Sequence, residues 1–142
     1  MEVSNQVARP LWEYFPDRVL PSGCQSRVVL DHVTSKWGVL VLVALAGETL
    51  RWGELRRRAQ GISEKMLAQT LRTLERDGLV HRDAHPVIPP RVDYSLTERG
   101  RELAALLLPL VEWTVVHAEG ILGPAESATW PARLPGIVGG AS

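Results

Sequence analysis

Five polar side chains at helical spacing, Lys65, Gln69, Arg72, Thr73 and Arg76, are the best candidates in this sequence for recognition chemistry. At about 100° per residue they fall on one side of a helix. Leu67, Leu71 and Leu74, at i, i+4 and i+7, fall on the other side. Side chains of this kind match the edges of base pairs, Arg or Lys to guanine and Gln to adenine. The charge around them is uneven. From Arg51 to Arg82 there are eight Lys or Arg against four Asp or Glu, whereas the whole chain holds 16 of each class. A basic middle on a neutral chain is what a phosphate-facing surface requires. On charge alone, a solvated arginine-rich helix face fits equally well.

Other chemistries find no support in the pattern. His32, His81, His85 and His117 are scattered without metal-ligand spacing. There is no glycine-rich phosphate loop, nucleophile elbow or carboxylate pair. No catalytic residue, metal ligand or cofactor is expected, and the chain does not read as an enzyme. Cys24 is the only cysteine, which precludes an internal disulfide and points to a reducing compartment. The first 21 residues carry Glu2, Glu13 and Asp17 and no apolar run, unlike a signal peptide. The most apolar stretch, Val39–Ala46, is shorter than the roughly 20 residues of a bilayer span. A soluble cytoplasmic protein with no membrane partner is expected. At 142 residues, 45% hydrophobic and 23% charged, it has room for one globular domain.

The elements that must position the polar face follow from periodicity. Residues 1–23 mix Pro10, Pro16 and Pro21 with aromatics and read as an irregular arm; 24–120 reads as the folded domain. Val28, Val29, His32 and Val33 mark a first helix that stops near Thr34–Ser35. Trp37 to Ala46 is apolar almost all round, so a buried helix is predicted, ended by Gly47. A brief extended piece at Leu50 and Trp52 precedes a short helix over 53–59. That helix turns Leu55 inward and Arg56, Arg57 and Arg58 outward. Gly61 marks a turn, and Ser63 is placed to cap the helix over 63–76, with Glu64 favouring its positive end. Strands are predicted over 79–84 and 91–96. They are joined by a stiff loop in which three of six residues are proline. Val92, Tyr94 and Leu96 alternate with Arg91, Asp93 and Ser95, as in a strand with one buried face. Thr97 caps a last helix to about Glu119, which Pro109 should bend or split. Its apolar surface is too wide for so small a domain to bury. Leu106, Leu110, Trp113 and Val116 are therefore expected at a subunit interface. Residues 121–142 read as a flexible tail.

Helix, helix, helix, turn, helix, hairpin and long helix is the order of a winged helix-turn-helix. The fold class is thus mainly α with a small β-hairpin wing. In this arrangement Ser63, Lys65, Gln69, Arg72 and Thr73 face bases of double-stranded DNA. Arg56, Arg57, Arg58, Arg76, Arg91 and His85 face phosphates or extend from the wing. His81 reads as packed or phosphate-facing. A second reading stays open on the residues alone. It is a winged helix that binds a small molecule or a protein and has lost DNA binding. In it Trp12, Trp37, Trp52, Trp113 and Trp130 line a pocket between dimer halves instead of serving the core or the interface.

Particular runs carry a family resemblance. They are Cys24, Leu30 and Ser35-Lys36-Trp37, then Trp52-Gly53-Glu54-Leu55-Arg56-Arg57 and Gly61-Ile62-Ser63-Glu64-Lys65-Met66-Leu67. Downstream stand Leu71-Arg72, Leu74-Glu75 and Asp77-Gly78-Leu79-Val80, and finally Pro89-Pro90-Arg91-Val92-Asp93-Tyr94-Ser95-Leu96-Thr97. Over about Cys24 to Gly120 the chain resembles the HxlR-type regulators, relatives of the MarR group. The resemblance implies a cytoplasmic bacterial transcription regulator that acts as a homodimer through its first and last helices, responsive to a small molecule, electrophile or oxidant. Several members of that family use a cysteine at the place of Cys24 as a thiol sensor, and a structural cysteine is the other reading here, since Gln25 replaces the family's usual proline and Thr34-Ser35 its Gly-Gly. With no second cysteine in the chain, oxidation there would yield an intersubunit disulfide or a mixed adduct.

Overall fold

Ser35 both ends one helix and starts another. The computed structural model describes residues 19–124, together with Pro10 and Glu13. The aromatics Trp12, Tyr14 and Phe15, Trp130, and most of the arm and tail read from the sequence lie outside these residues. Helix α1 (Gln25–Thr34) stops at Ser35, whose extended backbone makes it the N-cap of α2 (Lys36–Ala44). The Ser35 Oγ accepts a hydrogen bond from the Gly38 amide at 3.1 Å, satisfying a donor that the first helical turn leaves unpaired. Helix α2 is apolar on nearly every side because it runs through the core. Val41 and Leu42 are fully buried, and Trp37, Val39, Val43 and Ala44 pack around them.

Strand β1 (Leu50–Arg51) leads directly into α3 (Trp52–Arg58), where the Glu54 carboxylate accepts from the Arg51 amide at 3.1 Å. Helix α4 (Glu64–Arg76) follows, then β2 (Val80–His85), β3 (Arg91–Leu96) and α5 (Glu98–Leu122). The antiparallel sheet has three strands in the order β1–β3–β2. The expected hairpin is present, with Val80 opposite Leu96 and His85 opposite Arg91. The piece at Leu50 adds a third strand, pairing Leu50 with Tyr94 and Arg51 with Asp93. This covers the outer edge of β3, whose amides and carbonyls would otherwise be left open. Trp52 is not part of the extended piece; it begins α3.

The largest fully buried side chains, Leu42, Leu45, Leu55, Leu67 and Leu74, come from α2, α3, α4 and the turn after α2. Helix α5 joins them through Ala104 and Leu107. Its first turn lies against the start of β2. A Cβ on Gly100 would stand 2.0 Å from the Leu79 carbonyl oxygen, so only glycine allows this approach. Thr97 fastens the same corner, its Oγ1 donating to the Gly78 carbonyl at 2.6 Å and accepting from the Gly100 amide at 3.0 Å.

Pro109 does not split the last helix. Helix α5 runs unbroken for 25 residues with Pro109 inside it, and it extends three residues past the expected end at Glu119. Proline removes one amide donor and crowds the preceding turn, at about 3 kcal/mol in a helix interior. Tertiary anchoring of the segment before it, at Gly100, Ala104 and Leu107, keeps the helix continuous. Length also sets α5 apart from the more apolar but shorter α2. By length and composition α5 is sufficient to cross a membrane, which the short run Val39–Ala46 is not.

Candidate nucleic-acid interface

Helices α3 and α4 are joined by a turn whose pivot is Gly61, at φ +95°, a left-handed conformation that glycine adopts without strain. Leu55, Ala59, Ile62 and Leu67 are buried on either side of the turn and lock the two helices together. Ser63 caps α4 as expected, its Oγ accepting from the Met66 amide at 3.1 Å, and Glu64 lies in the first turn. The serine oxygen is therefore already engaged as an acceptor. Leu67, Thr70, Leu71 and Leu74 are buried and hold α4 to the domain.

Along the opposite side Lys65, Gln69, Arg72 and Arg76 are all exposed. At about 100° per residue these four lie within about 60° of arc. None of the three cations forms an ion pair with another described residue. Thr73 departs from the expected outward face. It is half-buried and borders a cleft of about 200 Å³ between α1 and α4, with Asp31, His32, Ser35, Gln69 and Thr70. Beside this cleft the His32 Nδ1 lies 2.7 Å from Asp77 Oδ2, tying α1 to the end of α4.

The three arginines of α3 are not equivalent. Arg56 pairs with Glu64 at 3.1 Å, and Arg58 pairs with Glu48. Arg57 is exposed and forms no ion pair with a described residue. On the wing, Arg91 and His85 converge on one carboxylate. The Arg91 guanidinium donates to Asp93 from Nε at 3.2 Å and from Nη2 at 3.0 Å, and His85 Nε2 lies 2.9 Å from Asp93 Oδ2. The hydrogen bonds from Arg91 hold the Asp93 carboxyl below the usual carboxylate range against the opposing effect of burial, and His85 reinforces them. Asp93 in return raises the pKa of Arg91. Asp93 is thus buried on the strand face expected to be polar and open. His81, by contrast, is exposed.

Sequence reasoning missed Asp93, although the hairpin register contains the signal: a six-residue ladder sets His85 opposite Arg91, and Asp93 shares a strand face with Arg91. It also missed the His32–Asp77 bond, whose partners are 45 residues apart.

Leu106, Leu110, Trp113 and Val116 stand exposed along α5, and Trp113 stacks on His117 at 4.4 Å between ring centroids. Val28, Val29 and Leu30 are exposed on α1. Trp37 and Trp52 pack partly buried against the core. Cys24 is the half-buried N-cap of α1, and its carbonyl accepts from the Arg27 and Val28 amides. Among the described residues no cluster of His, Cys, Asp and Glu could hold a metal ion.

The HxlR-like helix-turn-helix family model matches residues 32–120, from the end of α1 to near the end of α5. The chain belongs to the HxlR-like helix-turn-helix family. This HxlR-like protein is 50% identical over 99 residues to the HTH-type transcriptional regulator YtfH of Escherichia coli (strain K12), covering 70% of its own length and 79% of that relative. Its fold is similar to the solved ytfH regulator from Salmonella typhimurium, with a TM-score of 0.70, 47% identity, and coverage of 74% and 94% of the two chains. It is also similar to the redox regulator HypR in its oxidized form, with a TM-score of 0.61, 38% identity, and coverage of 66% and 96%. The HxlR-like protein is a winged-helix transcriptional regulator of the helix-turn-helix type. Its helix pair is α3–α4 and its wing is β2–β3.

Proposed function

We propose that the protein is a cytoplasmic, sequence-specific regulator that binds double-stranded DNA as a homodimer, with α4 as the helix that reads the major groove. One observation carries this reading: Lys65, Gln69, Arg72 and Arg76 are exposed together on one stripe, and no acid among the described residues pairs with the three cations. Arg72 and Lys65 suit guanine, and Gln69 suits adenine. Ser63, engaged in capping α4, and Thr73, half-buried toward α1, contribute less to base reading. Arg57 and Arg76 supply backbone contacts, which position the protein without reading sequence. Arg56, Arg58, Arg91 and His85 already have acidic partners and contribute less.

The exposed residues of α5 (Leu106, Leu110, Trp113 and Val116), with those of α1, form the surface against a second copy. A bilayer would have to take up Glu112, His117 and Glu119 along the same helix, and the first half of α5 is pinned to the winged domain. Isologous pairing presents two α4 helices to successive major grooves, about 34 Å apart on an inverted repeat. Cys24, heading α1 at that surface, is the position at which an electrophile or oxidant would act on the dimer, by intersubunit disulfide or mixed adduct. The similarity to HypR supports this role.

Gel shift against the DNA upstream of its own coding sequence tests the proposal. Binding is expected to weaken steeply with salt, because phosphate neutralisation releases counterions. An absence of binding at low salt would favour instead a winged helix that serves as a ligand- or protein-binding module. Cys24→Ser should abolish any response of DNA binding to diamide, and an unchanged response would remove Cys24 from the mechanism.

A further inference from the structure

The tip of the wing offers almost no polar side chain to a partner. It runs Pro86-Val87-Ile88-Pro89-Pro90, with Val87 exposed and Ile88 100% exposed. The polar side chains that flank it, His85 and Arg91, are drawn down onto Asp93 at its base. An arginine reaching from the tip into a groove is therefore not what this wing presents.

We propose that Ile88 enters the minor groove beside the α4 site as an apolar wedge, parting a base step and bending the duplex. This rests on the DNA-binding reading above and specifies what the wing does within it. Three observations support it. First, the tip continues the proposed interface. Arg72 of α4 and Arg82 of β2 line one depression with Trp52, Glu75 and Tyr94, and a second depression runs from Trp52 and Gly53 to Val87, Ile88 and Pro90. Arg82, exposed on β2, thus supplies the phosphate attraction that the tip lacks. Second, three of the five tip residues are proline, so the tip has little conformational freedom to lose on insertion. Third, two exposed apolar side chains are far too few for a stable protein interface, which needs about 800 Å² on each partner. They do suit the space between two base pairs, where Ile, Leu, Phe, Met and Pro act as wedges in other minor-groove proteins. Pyrimidine–purine steps part most easily, so the wedge would select such steps outside the bases read by α4.

The test uses the full chain and a duplex library with 20 randomised base pairs (~two helical turns), from which bound sequences are selected. Bending of a selected duplex is read by energy transfer between dyes on its two ends. The wild type is expected to bend the duplex by more than about 20° and to enrich TA or CA steps at a fixed distance from the α4 bases. Ile88→Ser is expected to leave the duplex nearly straight, lose that flanking preference, and bind about tenfold more weakly with an unchanged salt slope. Ile88→Met should retain the bend. Because Ile88 is wholly solvent-exposed, the serine variant should keep the helicity and melting temperature of the wild type. Equal bending and equal flanking preference in wild type and Ile88→Ser would overturn the wedge while leaving the regulator reading intact. A wild type that selects no sequence at low salt would overturn both.

Discussion

On α4, Lys65, Arg72 and Arg76 stand in solvent without an acidic partner among the described residues, whereas on the wing Arg91 and His85 both close on Asp93. Both regions contain basic and acidic residues close together in sequence. The difference arises from backbone geometry. Along a helix, neighbours on one face are three or four residues apart, and the acids of α4 fall off the basic stripe: Glu64 turns to Arg56 of the preceding helix. Along a strand, residues two apart share a face, so Arg91 reaches Asp93 within β3 while the register brings in His85 from β2. A cation on the helix remains available to a phosphate or a base. One on the wing base is spent on holding the hairpin in shape.

Substitutions can break or sharpen this contrast. The largest effect is expected at α4. Gln69→Ala or Arg72→Ala should each remove about 1–3 kcal/mol of discrimination at one base pair, measured by competition between duplexes that differ there. Undiminished discrimination in both would show that α4 is not the reading helix. Next comes Arg57→Ala, which should weaken binding to all sequences alike and lower the salt slope by about one. Asp93→Asn should act in the opposite sense on that slope, raising it by at most about one, because Arg91 is released toward the backbone. The same variant carries a pH signature. The Asp93 pKa is lowered in the folded state, so the stability it contributes is complete above the ordinary carboxylate value near 3.9 and lost as pH falls through the lowered one. Melting temperatures taken from pH 5 downward should therefore fall more steeply for the wild type than for Asp93→Asn; parallel curves would deny Asp93 its role. The smallest effect is expected from Arg91→Ala. A charge already matched by Asp93 should leave the salt slope unchanged, and a drop equal to that of Arg57→Ala would erase the distinction between the two regions.

Much of this molecule could be read along the chain, because its elements are specified by local physics. The leucines at 67, 71 and 74 set the buried side of α4, and Ser63 and Thr97 mark the starts of α4 and α5 by capping. Alternation in β3 and the prolines between the strands announce a hairpin with a stiff tip. These are interactions over one to four residues, and they placed Lys65, Gln69, Arg72 and Arg76 on one exposed stripe before any packing was known.

Tertiary structure decided which of the other polar groups remain available. Thr73 borders the cleft against α1 because α1 packs there, and His32 meets Asp77 across 45 residues of chain. Asp93 is buried because two strands in one register deliver a histidine and an arginine to it. Pro109 stays within a continuous helix because the turns before it are anchored in the core. Helical and strand periods act over a few residues and are written in order along the chain. Ion pairs between elements depend on distances in space, which only the assembled packing defines.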